Sequence, residues 1–316
     1  MKKLCLVTYA RKGEDFTLGF HATALALNAL MQGDFKVVLC GEGNLPVCEV
    51  PYVVEVRESR GTKYRKLLSL LENDDSQYYF SVDNDTELET REVKEFVSLM
   101  ISNGADIGWG IVRARRPVGF IPKLVAVDKL LSHDLIRPIL WRLGVGVSVP
   151  GQAFGIRGAA FRGKLIGLDT YLDDLALGLY ANAGRMKRCI VGRVLGYEKP
   201  NECFSGLWSQ RKRWAIGYGA VLRKTLFRGR GALNVALHGL AYHGLWLVHW
   251  LIAIGLAFKH PLLAAGYCLV TDLIIVGTEW KLIPYALVYQ IVFPLFHVRW
   301  WVSLLLYLAG RRSKCR

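Results

Sequence analysis

The sequence predicts an α/β domain followed by apolar membrane helices, and three observations carry that prediction. Short apolar strands alternate with helices over the first eighty residues or so, charged residues are concentrated ahead of position 230, and Ala232 to Phe258 contains no Asp, Glu, Lys or Arg.

Leu4 to Tyr9 and Phe35 to Cys40 read as buried strands with a helix, Ala22 to Met31, between them. Pro51 to Val56 reads as a further strand, and a helix from Lys63 to Glu72 leads into the strand Tyr78 to Val82. Such alternation predicts a parallel sheet with covering helices, which binds ligands at the carboxyl ends of its strands. Neither GxGxxG nor a Walker sequence follows the first strand, so dinucleotide and P-loop chemistry are not expected.

The 316 residues carry 41 Lys/Arg against 26 Asp/Glu, a formal charge of +15, with 52% hydrophobic residues, which excludes a disordered tail. Seven cysteines without a CxxC give neither a zinc site nor a disulfide framework and read as reduced thiols in a cytosolic setting. The basic residues cluster beside the apolar segments and form no recognisable nucleic-acid module, so no nucleic-acid partner is expected.

Ala232 to Phe258 is long enough to cross a bilayer core of about 30 Å. Pro261 to Thr278, interrupted by Asp272, and Leu282 to Val298, interrupted by Pro284 and Pro294, are further candidates. Trp208 to Gly231 holds seven basic residues and no acid, and Arg311, Arg312, Lys314 and Arg316 repeat that bias, so both flanks are expected in the cytosol. An even number of crossings follows, with Trp300 to Leu308 lying along the interface. Arg113 to Leu143 reads either as a second interfacial segment or as an amphipathic helix packed on its own domain. The expected boundary separates a catalytic domain, residues 1–231, from a membrane domain, residues 232–316, with two to three spans and a basic tail.

Three polar groups carry candidate chemistry. Asp83-Asn84-Asp85 closes the strand ending at Val82, where acids two apart can hold a divalent cation, although Asp and Asn also favour turns. Asp173-Asp174 opens a helical pattern; carboxylates there suit the helix dipole, and one beside another also suits a general base. In Gln210-Arg-Lys-Arg213-Trp214, Arg213 offers a guanidinium fork for phosphate, Trp214 a flat face for a sugar and Gln210 an amide for hydroxyls; such a run also contacts lipid headgroups.

In this order, and followed by membrane helices, these groups resemble the family 2 glycosyltransferases of the GT-A fold, in the branch of cellulose and hyaluronan synthases and ceramide glucosyltransferase. The resemblance covers roughly residues 1–231. It implies a Rossmann-like nucleotide-diphospho-sugar transferase domain, with Asp83 and Asp85 as the DxD that binds the donor and its Mg²⁺ or Mn²⁺, Asp85 being the metal ligand. It implies Asp174 as catalytic base with Asp173 beside it, from the TED-type position, and Gln210, Arg213 and Trp214 as the QxxRW group at the acceptor and the diphosphate. Arg60-Gly61-Thr62-Lys63 resembles the segment next to the nucleotide, with Lys63 and Tyr9 on the donor side, and Gly151-Gln152-Ala153-Phe154 with Arg157 resembles the acceptor-side loop, placing Gln152 there. Two departures stand out. Glu42 occupies the place where the family carries an Asp for the nucleotide base, and Leu172-Asp173 replaces Thr-Glu.

The function implied is an inverting, membrane-bound transferase moving sugar from a nucleotide-diphospho-sugar, with UDP the expected nucleotide, to a lipid or lipid-linked acceptor at the cytosolic face. A processive polysaccharide synthase is the alternative.

Overall fold

The computed structural model describes residues 2–10, 18–42, 50–163, 170–225 and 230–310. The chain forms two compact units, Met1–Arg115 with Ser148–Lys199, and Arg116–Val147 with Pro200–Arg316. The boundary expected at residue 231 falls inside the second of these.

In the first unit, apolar runs at strand length form β1 (Leu4–Ala10), β2 (Phe35–Gly41), β3 (Val53–Glu58) and β4 (Tyr78–Asp83). β1 pairs in parallel with both β2 and β4, and β2 with β3, as strand and helix alternation requires. The remaining strands are β5 (Thr86–Leu88), β6 (Ile107–Ala114), β7 (Ala153–Arg157) and β8 (Arg188–Glu198). Together they make one eight-stranded sheet in the order β3-β2-β1-β4-β7-β6-β8-β5.

The all-parallel expectation holds only for the first half. β7 runs antiparallel to both β4 and β6, because the chain returns from residues 116–147 at the carboxyl edge of β4 and must traverse the sheet backwards. β6 and β7 escape sequence reading because glycine dilutes their apolar pattern. A Cβ on Gly108 would lie 2.9 Å from the Cys189 carbonyl oxygen and 3.0 Å from the Phe96 ring, so glycine admits the Thr90–Ser102 helix close to the sheet. Leu6, Leu27, Phe35, Phe80, Phe96 and Val112 lie in the core beneath.

The second unit is helical. Phe120–Leu130 continues through a π-helical turn, Leu131–Ile136, into Arg137–Arg142. Phe204–Thr225 follows, then Arg230–Gly239, a second π-helical turn at Leu240–Gly244, Leu245–Lys259, Pro261–Val276 and Ile283–Leu308. Leu124, Val127, Leu207, Trp246, Ile275, Tyr289, Phe293 and Phe296 share one buried cluster. The Arg113 to Leu143 segment therefore contributes the last residues of β6 and then a helix whose apolar face packs inside this unit.

Gly231–Lys259 and Trp280–Leu308 are each long and apolar enough to cross a membrane, while Pro261–Val276 is apolar but shorter. The separate third span and interfacial segment are corrected: Leu282 to Val298 and Trp300 to Leu308 lie in one uninterrupted helix. Pro294 removes one N–H, but Phe293, Phe296, Trp300 and Leu304, spaced by three and four, are all buried, and that burial holds the helix through the proline. Arg311, Arg312, Lys314 and Arg316 lie outside the described residues.

Candidate functional site

β1 and β4 end side by side, with Tyr9 opposite Asp83 in the register. β7 begins at the same edge, so the Asp83 amide donates to the Gln152 carbonyl oxygen at 2.9 Å. The left-handed turn at Gly61 (φ +100°) and the Thr62 cap, which accepts from the Arg65 amide at 3.4 Å, launch the helix Lys63–Asn73.

Its first residue, Lys63, is the hub. The ammonium lies 2.8 Å from Asp83 Oδ1 and 3.3 Å from Asp173 Oδ2, donates to the Gly151 carbonyl oxygen, and sits 5.2 and 5.3 Å from the ring centres of Tyr9 and Phe154. Burial disfavours the charged amine, yet Asp173 and Asp83 overrule it and hold Lys63 above its ordinary pKa, a fixed cation. Burial, with the Asp83 carboxylate adding to it, raises the Asp173 pKa in spite of Lys63. Burial also raises the Tyr9 phenol, which stays neutral and shares a hydrogen bond with Ser81 Oγ at 3.0 Å.

Asp173 and Asp174 occupy the first turn of the Asp173–Ala183 helix, as their pattern predicts. Asp173 is buried and engaged by Lys63, whereas Asp174 is half-buried. Gly151 lies against both: a Cβ there would stand 3.4 Å from Asp174 Cβ and 3.8 Å from Asp173 Oδ1. Gln152 Oε1 is buried without a hydrogen-bond partner. The first unit thus brings Tyr9, Lys63, Asp83, Gln152, Asp173 and Asp174 to one sheet edge. Asp85 is exposed two residues beyond Asp83, and Glu42 is exposed directly after β2.

Arg157 is not part of this group. It pairs with Asp106 at the far end of β7, opposite Tyr78 at the start of β4. Ser81, which shares a hydrogen bond with Tyr9, is a site neighbour that sequence reasoning did not name, and Phe154, named only as part of the acceptor-side loop, stands against Lys63. Alternation along β4 is the signal that could have placed Ser81 beside Tyr9.

Among the described residues no three or more His, Cys, Asp or Glu side chains form a metal cluster. Asp83, half-exposed, and Asp85, exposed, fit a cation of the Mg²⁺ or Mn²⁺ class held by one or two carboxylates and completed by substrate phosphate oxygens.

In the second unit, Gln210, Arg213 and Trp214 fall at helical spacings of three and four on Phe204–Thr225, with Arg213 exposed and Gln210 and Trp214 half-buried. The intervening Arg211 is buried: Nη2 donates to Asp128 Oδ2 at 2.6 Å, and the guanidinium stacks 4.5 Å from the Trp214 ring. Tyr289 donates to Asp128 Oδ1 at 2.8 Å. Burial raises the Asp128 pKa, but Arg211 and the hydrogen bonds outweigh it and the carboxylate is held low.

No family model matches the sequence. No curated protein matches it either. Among solved structures, the chain is similar to a mannosyltransferase from Pyrobaculum calidifontis in complex with GDP-Man and Mn2+, with a TM-score of 0.53 at 12% identity over 98% of this chain and 88% of that one. Glucosyl-3-phosphoglycerate synthase from Mycobacterium tuberculosis, in complex with Mn2+, UDP and phosphoglyceric acid, matches at 0.47 and 14% identity over 68% of this chain and 76% of that one. S. aureus TarS 1-349 matches at 0.46 and 12% identity over 99% of this chain and 93% of that one. The likeness to the mannosyltransferase defines the fold class: a mixed α/β sheet of the GT-A glycosyltransferase type.

Proposed function

We propose that this chain is an inverting, membrane-bound glycosyltransferase that moves a sugar from a nucleotide-diphospho-sugar to a lipid or lipid-linked hydroxyl. The observation that carries the reading is Lys63, bridged between Asp83 and Asp173 beside Asp174 at the carboxyl edge of β1 and β4. That edge is where open α/β sheets bind nucleotides, and the mannosyltransferase of the same fold is in complex with GDP-Man and Mn2+.

In this reading Asp83, Asp85 and Lys63 receive the donor diphosphate, with Tyr9 and Glu42 on the nucleotide side. A divalent cation, when bound, neutralises charge on the leaving diphosphate. Asp173 is engaged by Lys63, which leaves Asp174 to take the proton of the acceptor hydroxyl as it attacks the anomeric carbon. One base suffices, because inversion is a single displacement. Gln152, Gln210 and Trp214 serve the acceptor and Arg213 the diphosphate, as the motif resemblance implies. The two long apolar helices support a membrane anchor, with the basic run before them on the cytosolic side.

The test is nucleotide release by the purified full chain, with Mg²⁺ or Mn²⁺, from UDP- and GDP-sugars in the presence of native lipid extract. Metal-dependent release with an organic-extractable product is expected. Release from no donor overturns the reading, and a high-mass polymer overturns the lipid acceptor.

A further inference from the structure

Asp128, Arg211 and Tyr289 come from three separate helices of the second unit, Phe120–Leu130, Phe204–Thr225 and Ile283–Leu308. Asp128 divides its carboxylate oxygens between the other two: Oδ2 accepts from Arg211 Nη2 at 2.6 Å and Oδ1 from the Tyr289 hydroxyl at 2.8 Å. Arg211 is only 3% exposed, its Nε is buried without a hydrogen-bond partner, and among the described residues its one ion pair is with Asp128. A buried guanidinium keeps its charge. The orientation of this one therefore rests on Asp128.

Trp214 depends on that orientation in turn. The guanidinium carbon lies 4.5 Å from the ring centre of Trp214, three residues further along the same helix, and 5.2 Å from that of Phe293, which is stacked at 4.1 Å on Tyr289. Trp214 itself is only half-buried, an indole held from the protein side and still open to a ligand. Bracing of the helices does not require this arrangement. Lys123 already ties Phe120–Leu130 to Ile283–Leu308, donating to the Tyr285 hydroxyl at 2.8 Å and lying 4.4 Å from its ring centre, and Leu124 and Val127 are buried in the same apolar cluster. A buried ion pair seldom stabilises more than apolar residues of the same size, which points to a use other than stability.

We propose that Asp128 is a positioning residue for sugar transfer: through Arg211 it sets the Trp214 ring on which the acceptor is bound. The inference rests on the acceptor role proposed for Trp214. It gives Asp128 and Arg211 an effect on acceptor binding and none on the donor. Arginine is required at position 211 because its planar group can pair with a carboxylate and stack on an indole at once, whereas the compact ammonium of lysine offers no flat face.

Two readouts on the full chain test it. In ¹⁹F NMR of the protein labelled with 5-fluorotryptophan, the Trp214 line, assigned by its loss in Trp214→Phe, should move or broaden in Asp128→Asn and in Arg211→Lys. It should stay in place in Lys123→Met, which cuts the other tie between the same helices. In transfer assays, Asp128→Asn and Arg211→Lys should each raise the concentration of native lipid extract giving half-maximal rate about tenfold, with affinity for a nucleotide diphosphate and Mn²⁺ unchanged by calorimetry. Neither should add to the loss in a Trp214→Ala background, since the ring they act through is gone. An unmoved Trp214 line, additive losses, or an equal loss of nucleotide affinity overturns the proposal. Arg211→Lys carries the test should Asp128→Asn fail to fold. If the wild type transfers sugar from no donor, the proposed function fails, and the Trp214 line alone decides whether Asp128 sets the ring.

Discussion

Gly151 and Asp174 are in van der Waals contact range: a Cβ on Gly151 would stand 3.4 Å from Asp174 Cβ and 3.7 Å from its carboxyl carbon. Alanine fits at that distance, whereas the branched side chain of valine pushes into the carboxylate. Gly151→Ala should keep near-normal transfer, and Gly151→Val should lower kcat by about a hundredfold, the cost of misplacing a catalytic group by around 1 Å. Steady-state kinetics of the two variants check this. An unchanged kcat in Gly151→Val removes Asp174 from the reaction.

Asp174→Asn preserves shape and deletes the carboxylate proposed to act as base. Donor binding should survive while transfer falls by about 10²- to 10⁴-fold. Asp85→Ala should act the other way, weakening metal-dependent nucleotide binding before it touches chemistry. Titration calorimetry with a nucleotide diphosphate, with and without Mn²⁺, separates the two. Full nucleotide affinity in Asp85→Ala excludes Asp85 as a metal ligand.

At the opposite end of the sheet, Asp74 accepts from Lys36 at 2.5 Å, from the Ser76 amide at 2.9 Å and from Tyr79 at 2.9 Å. Burial raises its pKa, but these partners overrule it and bring it down to about 2. A carboxyl depressed in the folded state stabilises above its unfolded pKa and loses that contribution as pH falls through its folded one. About 2 kcal/mol should therefore disappear between pH 5 and pH 2. The thermal midpoint of the wild type should fall over this range more steeply than that of Asp74→Asn; parallel curves would sink the assignment.

Leu124, Val127 and Leu207 are fully buried in a cluster completed by Trp246, Ile275, Phe293 and Phe296. Cutting after residue 231 strips that cover, at about 2 kcal/mol for each large apolar side chain exposed. The shortened protein should aggregate rather than yield a soluble enzyme. Size-exclusion chromatography decides, a monodisperse active monomer being the contrary result.

Three of the first four strands were legible because Leu4–Ala10, Phe35–Gly41 and Tyr78–Asp83 are largely apolar runs of strand length. Asp83 and Asp173 could be picked out as acids at the edges of such elements. Their common partner could not be derived from pattern, since Lys63 meets Asp173 across 110 positions of sequence. β6 and β7 were hidden by Gly108, Gly110 and Gly155, whose value is the room they leave, a property no hydropathy pattern records. Arg211 sat unnoticed between Gln210 and Arg213 because its burial depends on Asp128, supplied by a helix more than eighty residues earlier.

The helical unit is assembled from two stretches of chain, residues 116–147 and 200–316, with part of the sheet encoded between them. During synthesis, the helix bearing Leu124 and Val127 leaves the ribosome before any of the residues that will enclose it. Over a hundred further residues must be translated before Trp246 arrives, and Phe293 comes later still. At about 5–20 residues per second this is an interval of several seconds or more, in which a naked apolar face awaits its other half. Maturation of this protein is thus paced by its last helices, and a ribosome stalled ahead of them would leave an aggregation-prone fragment.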